Sequence, residues 1–540
     1  MREQQDLFPH VCLYRQLRET TSRVNERQES YRPTPARDQP TEHLLHVLWL
    51  RQELLRQPLV AVDKRVVTIY RPGRWSRGSG PDFLEAKLQF DDEPVRVGAV
   101  EVHVCASDWA RHGHHHDPAY AKVLLHVAWR NDLQTPIVVN AYGSRIPQLE
   151  LSACVSMSVP ELQEMLDDEG FPEGKPATLT PCQRSMQALP PETIGYLLDM
   201  AGEERWRQKA SRFALKVERR GVEQALYELL LEALGFKGNR MPFWQLAKLA
   251  PLARLREALV ISQPSPLQIQ AILYGVSGFL QRWQLDLKRN SPQTRAYVER
   301  LLSRWEPVAH LFPESLDERS WRLAGIRPAN RPERRIAAAG YLLSGVARQS
   351  LMDLFLAPLR TLPINAPSAL MPRCQRELTH RLRVTGEGDF WSRRYAIDGP
   401  PHGRPVDLLG LGRAATMAID VLLPAAAALS QLGHEQIPFA TLHALYLSHP
   451  RLPTNEVTRN MMRQFFGSDG VRAAVVNSAC RQQALQQLYN DFCLNELETC
   501  QECAFPRLAA RLEGLQTDTF QEAPGVSGVR DGGRDSAGCK

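Results

Sequence analysis

The sequence predicts an α+β protein, with a small mixed-sheet domain at the N-terminal side followed by a long all-α region that ends in a cysteine cluster. Three observations lead there. Apolar runs of strand length recur between turn signals over about residues 59–152. After Pro160 the apolar period becomes helical and stays so. Four of the ten cysteines then fall in the short stretch Cys480–Cys503. A chain of 540 residues, 43% of them hydrophobic and 23% charged, is long enough for several domains and ordinary for a globular protein. The net charge of +6 permits a nucleic-acid partner without requiring one. No stretch of apolar residues is long enough to span a bilayer, and the first ten residues lack the apolar core of a secretory signal. A cytoplasmic location without membrane contact is expected, where cysteines are thiols or metal ligands.

Along the chain, residues 1–40 form an N-terminal extension, with a short helix possible in the first twenty and a polar, proline-bearing flexible linker over 21–40. The first domain spans 41–158. It opens with a helix over 41–56, capped by Thr41 and carrying Leu44, Leu45, Leu48 and Trp49 on one side. Strands are expected at 65–70, 83–90, 95–104, 123–129 and 137–142, with a short helix starting near Pro118. Helical regions follow over 159–375 and 376–515, with helices at 192–219, 222–234, 243–258, 266–286, 293–304, 332–347, 413–432, 438–448 and 471–494. Gly275 and Gly278 are read as points of close helix packing. Residues 516–540 read as a disordered tail.

The segment 80–104, GPDFLEAKLQFDDEPVRVGAVEVHV, reads as a β-hairpin turning near Asp91-Asp92. Period two puts Glu101 and His103 on one face of its second strand. The apolar neighbours Val100, Val102 and Val104 make that strand central, and a buried carboxylate there needs a partner or a metal. One such partner is Arg74 or Arg77, with Asp82 capping the turn after Pro81. The pattern also resembles the PD-(D/E)xK nuclease core, in which Pro-Asp opens one strand and an acidic residue, a spacer and a lysine lie on the next. Pro81-Asp82 matches the first half, and Glu101-Val102-His103 matches the second with histidine in place of lysine. The resemblance implies Mg²⁺ or Mn²⁺ on Asp82 and Glu101, His103 assisting the attacking water, and Glu42 as the added helix glutamate.

Six of the fifteen histidines fall between 103 and 126, among them His112, His114, His115, His116 and His126. Imidazole with carboxylate suits Mn, Zn or Fe. His112 and His126 are taken as candidate metal ligands. The run His114–His116 reads as a solvated loop, and Tyr120 as a packing residue.

The motifs EHLLHVLW, GSGPDF, GAVEVH, SDWARHGH, DPAYAKVLLHV, RWRQKASRF, GNRMPFWQLA, ILYGVSGFL, WRLAGIRPANRPERR and QQALQQLYNDFC together resemble an uncharacterised bacterial family, domain of unknown function 2851, over about residues 41–505. The name implies no activity.

Cys480, Cys493, Cys500 and Cys503 are spaced C-x12-C-x6-C-x2-C, as four thiolates for a [4Fe–4S] cluster or Zn²⁺. The last three resemble the start of the iron–sulfur loop of some DNA glycosylases, whose fourth cysteine is replaced here by Ala509. Arg327, Arg331, Arg334 and Arg335 in IRPANRPERR, and the basic stretch 203–220, are candidate contacts to a nucleic-acid backbone. The expected function is metal-dependent hydrolysis of phosphodiester bonds in DNA or RNA. The alternatives are a non-catalytic nucleic-acid-binding or scaffold protein on the same fold, and a histidine-rich metal hydrolase.

Overall fold

A computed structural model describes residues 13–18, 39–76, 80–133, 138–166, 180–323, 326–363, 366–494 and 503–519. Helix α1 (Glu42–Leu50) starts where expected, with the Thr41 hydroxyl accepting from Leu44 N at 3.2 Å. Its Leu45, Leu48 and Trp49 are fully buried.

Nine strands follow among the described residues: β1 (Leu59–Val60), β2 (Val66–Arg71), β3 (Arg74–Trp75), β4 (Phe83–Phe90), β5 (Arg96–Cys105), β6 (Val123–Arg130), β7 (Val138–Val139), β8 (Arg145–Ile146) and β9 (Gln148–Glu150). Among the described residues the main sheet runs β1-β2-β4-β5-β6-β9, with β3 beside β4; β7 and β8 pair apart. β2, β4 and β5 form an antiparallel meander, and Asp91 makes the β4–β5 turn in the left-handed region. β6 and β9 then add in parallel. The parallel step from β5 to β6 requires a crossover. Helix α2 (Asp108–Arg111) and a 3₁₀ turn at Pro118–Lys122 supply it. β5 is therefore central, as its apolar flanks require. Val100 and Val102 pack with α1 and with α3 (Val159–Leu166). Ala99 packs with Trp109 and Tyr120 of the crossover on a second, smaller core.

The helical region is built on the 30-residue helix Pro191–Arg220, which pairs with Ala479–Leu488. Their closest approach is at Gly202, where an added Cβ would lie 2.5 Å from both Sγ and O of Cys480. Gly202→Ala is expected to lower stability by about 1–3 kcal/mol, the scale of core overpacking, read as a lower denaturation midpoint. Gly275 plays the same part against the Trp305 ring, where a Cβ would sit 2.5 Å away. Its neighbour Gly278 does otherwise. At φ +83° it ends Pro266–Val276 and starts Phe279–Leu285, so the helix expected over 266–286 is two. Pro251 likewise separates Phe236–Leu249 from Leu252–Ile261.

One continuous apolar core runs from Trp206 to Cys480 and so crosses the boundary expected at 375. Met241 and Trp244 of Phe236–Leu249 enter the core of the sheet domain and tie the two parts together. Residues 13–18 are helical, and Tyr14 is buried against the C-terminal helices with its hydroxyl donating to Asp491 at 2.7 Å. That end of the extension is anchored. The C-terminal helix Phe505–Thr519 runs past the expected start of the tail, and residues 520–540 lie outside the described set. Leu411–Gln431 is long and apolar enough to cross a membrane by composition, and most of it is buried among other helices.

Candidate metal centre

The β4–β5 register pairs Phe83 with Val100, which brings the start of β4 beside Glu101. The backbone N–H of Asp82 donates to Oε2 of Glu101 at 3.0 Å, and Val102 N–H donates to Oδ2 of Asp82 at 2.9 Å. The two carboxylates expected to share a site are thus adjacent. The β5–β6 register pairs Glu101 with His126. Nε2 of His126 lies 2.9 Å from Nδ1 of His103, and Nε2 of His103 lies 3.2 Å from Nδ1 of His112.

His112 and His114 arrive because α2 ends at once in a tight turn through Gly113, at φ +76°, which folds the chain back over β5. One donor atom each from His103, His112 and His114 lies within 4.8 Å of the others. Nε2 of His114 is 3.3 Å from Oε1 of Glu101, and Nε2 of His103 is 3.7 Å from it. Tyr120 stacks on His114 with ring centroids 3.8 Å apart, and Trp109 meets His114 edge-on at 5.4 Å. These aromatic rings fix the imidazole. Tyr120 thereby serves the site by packing.

Glu42 lies close enough to add to the negative field at Glu101. The carboxyl of Glu101 is raised well above the usual range, by burial first and then by Asp82 and Glu42. His103 is pushed well below the usual imidazole value by burial and by His126, His112, His114 and His46. Burial lowers His126 to about 3, and burial with His112 lowers His114 to about 4. At neutral pH these rings are uncharged, with lone pairs free to ligate. Two buried ring nitrogens in this pocket, Nε2 of His46 and Nε2 of His114, make no hydrogen bond. Such gaps are uncommon in a folded interior and fit a donor set built for a cation.

The depressed histidines give a pH dependence to the metal-free chain. The folded state refuses a proton that the unfolded state accepts below pH 6.5, so stability is full above that value and falls as pH drops toward about 3. His103, His126 and His114 act in this direction and the raised carboxyl of Glu101 offsets about one of them above its ordinary range, so the expected net slope is roughly 1–3 kcal/mol per pH unit. The melting temperature of chelator-treated protein from pH 7 to pH 4 reads it; a flat profile would show the rings are not buried neutral.

Glu42, Asp82, Glu101, His103, His112 and His126 therefore come together. Two members were missed. His114 was assigned to a solvated loop with His115 and His116, yet it is buried, because the turn at Gly113 is invisible to a run of identical residues. His46 is the other: its Nε2 is 3.1 Å from Oδ2 of Asp82. Its signal was its place four residues after Glu42, on the same helix face. Asp108 and Asp117 stay out, since they accept from the backbone N–H groups of Cys105 and Ala119. Arg74 and Arg77 are not needed as partners for Glu101, and Arg77 lies outside the described residues.

Cys480 is fully buried at the Gly202 crossing, while Cys493 and Cys503 border a different core; Cys500 is outside the described residues. Arg334 is fully buried and donates to the carbonyls of Trp391, Arg394, Val406 and Asp407. Arg335 is buried with Nη1 on the Leu408 carbonyl at 2.7 Å. Both are internal ties, because their terminal nitrogens are held by internal acceptors and burial keeps the guanidinium groups away from a phosphate in solvent. Arg327 is exposed, and Arg331 pairs with Glu333 at 2.8 Å. The 203–220 stretch is also internally paired, through Arg207–Glu204, Lys209–Asp420 and Lys216–Glu232.

The family model for protein of unknown function (DUF2851) matches residues 42–450. The chain belongs to that family. The match begins at α1, takes in every histidine and carboxylate of the centre, and stops before Cys480. No curated protein and no solved structure matches the chain.

Proposed function

We propose that this member of DUF2851 is a divalent-metal-dependent hydrolase acting on phosphodiester bonds in DNA or RNA. The observation that carries the reading is the convergence of the His103, His112 and His114 donor atoms beside Oε1 of Glu101. Three imidazoles and a carboxylate favour Mn²⁺, Zn²⁺ or Fe²⁺ over Mg²⁺, which prefers oxygen alone. The ion, when bound, would lower the pKa of a water and offset charge on the phosphoryl oxygens. Without the ion, burial and the neighbouring carboxylates hold the Glu101 carboxyl high, and a bound ion would favour its charged form, so that Glu101 would balance part of the ion's charge. His126 orients His103. When Nε2 of His103 faces the ion, its Nδ1 must carry the ring proton and donate to His126, whose own proton then sits on the unpaired Nδ1.

Support for a nucleic-acid substrate comes from the order of elements: a helix with a glutamate, an antiparallel hairpin with Asp82 and Glu101, a crossover, and a parallel strand. The helix glutamate and the Asp82–Glu101 hairpin are the features on which the resemblance to the nuclease core rests. The test is cleavage of plasmid DNA and of a structured RNA by chelator-treated protein given Mn²⁺, Zn²⁺, Fe²⁺ or Mg²⁺. Cleavage with a transition ion that is lost in Glu101→Gln is expected. Binding of the ion without cleavage of either polymer would overturn the substrate assignment and leave the metal centre standing.

A further inference from the structure

We infer that the open half of the sheet face carrying Glu101 is a docking surface for single-stranded nucleic acid, which it leads along β4 to the metal centre. This deepens the substrate assignment above and rests on it.

Period two along β5 puts Val97, Ala99, Glu101 and His103 on one face. The last three are buried, with Trp109 and Tyr120 of the crossover packed on Ala99. The first is open: Val97 is 61% exposed. Residues opposite each other in paired strands share a face, so the register extends the open surface strand by strand. Lys87 is opposite Val97, Arg71 is opposite Lys87, and Thr68 is opposite Gln89. Nearer the metal centre, Leu84 packs against the crossover core on this same face, and Arg74 of β3 is opposite it.

Three cations thus share the face. Arg71, Arg74 and Lys87 are exposed, and none makes an ion pair among the described residues. Arg71 and Lys87 are directly opposed, an arrangement that costs stability and that an anion between them would relieve. The carboxylates of the β4–β5 turn are engaged elsewhere: Glu93 pairs with Arg96, and Asp91 accepts from Val66 N–H at 2.8 Å. Glu85, in the bulge of β4, pairs with none of the three cations.

Tyr70 is the independent observation, and it favours a single strand over a duplex. It is 60% exposed, and its hydroxyl donates to Oε1 of Gln89 at 2.8 Å, which ties the ring across to β4. A tethered aromatic ring on an open sheet offers a face to an unpaired base, whereas the bases of a duplex are stacked on each other. Arg71 and Lys87 beside it supply the backbone contacts that track a strand. From Lys87 to Asp82 the strip runs roughly 15 Å along β4, so a strand lying on it ends beside Glu101.

The experiment measures binding of a short fluorescein-labelled oligothymidylate to the full-length, chelator-treated chain by fluorescence anisotropy over a range of salt. Chelation keeps binding apart from cleavage. The wild type is expected to bind this single strand more tightly than the same strand paired with oligodeoxyadenylate. Tyr70→Ala is expected to weaken binding by about 5- to 150-fold, the worth of one stacked base, while Tyr70→Phe keeps the ring and most of the affinity. Arg71→Gln combined with Lys87→Gln is expected to flatten the log–log salt slope by about 1.4, as for two phosphate contacts to a single strand. Unchanged affinity and slope in these variants, no binding by the wild type, or equal affinity for the duplex overturns the inference. Should Tyr70→Ala fail to fold by circular dichroism, the Arg71 and Lys87 pair decides. Cleavage with metal restored is read separately on the same proteins. Binding without cleavage contradicts the hydrolase reading alone, and cleavage unaffected by these substitutions contradicts the docking surface alone.

Discussion

His103→Ala is expected to release the ion from the imidazole site and to lower hydrolysis by roughly 10³-fold or more, the scale on which loss of a central catalytic group acts. No other side chain in the centre touches as many of its members. Its Nδ1 meets His126, its Nε2 lies near His112 and Glu101, and its ring stacks on His114. Alanine removes one donor and also leaves Nε2 of His126 unpaired in a fully buried position. His126→Gln is the informative control. It leaves His103 in place and removes only the group that orients it, so a 10–100-fold loss of metal affinity with the site retained is expected. Ion content after gel filtration and the rate of plasmid or RNA cleavage read both variants. Full retention of the ion in His103→Ala would show that the imidazoles are not the donors.

Arg334→Ala is expected to destabilise the fold by about 3–5 kcal/mol, because each buried acceptor left without its donor costs about 1–3 kcal/mol. The guanidinium ties the Pro332–Leu342 helix to the segment 391–407 through four backbone carbonyls, and it lies 5.1 Å from the Tyr395 ring. Removing it strands those carbonyls in the interior. Arg334→Lys is expected to recover little, because one ammonium cannot span the positions reached by a planar fork. Urea denaturation reads the loss. Binding of nucleic acid by the folded fraction should be unchanged, which separates the internal role from a phosphate contact.

The contrast between these two residues shows how much the sequence could reveal. Strands are legible where period two and turn residues agree, so β4, β5 and β6 lie within a residue or two of expectation. From that hairpin alone, Asp82, Glu101 and His103 could be placed together. His126 was recoverable as a lone imidazole in an apolar strand. His114 was not, since exposure in a histidine run depends on where a glycine turn aims it. Arg334 was misjudged for a related reason. A basic run reads as a surface, and only tertiary packing of 391–407 over the Pro332–Leu342 helix buries it. Helix breaks at Gly278 and Pro251 were signalled by residue type, but continuous apolar periodicity outweighed them. The Cys480 thiol fills a crossing that requires Gly202 on the facing helix, and nothing near Cys480 in sequence announces that partner.

The most direct test of the central claim is X-ray absorption at the metal edge of the protein as purified. The expected result is a bound transition ion whose nearest shell is nitrogen and oxygen at about 2.0–2.2 Å, with the outer scattering of several imidazoles. A chain that holds no ion, or one whose ion sees only sulfur at about 2.3 Å, would contradict the assignment of the metal to His103, His112 and His114.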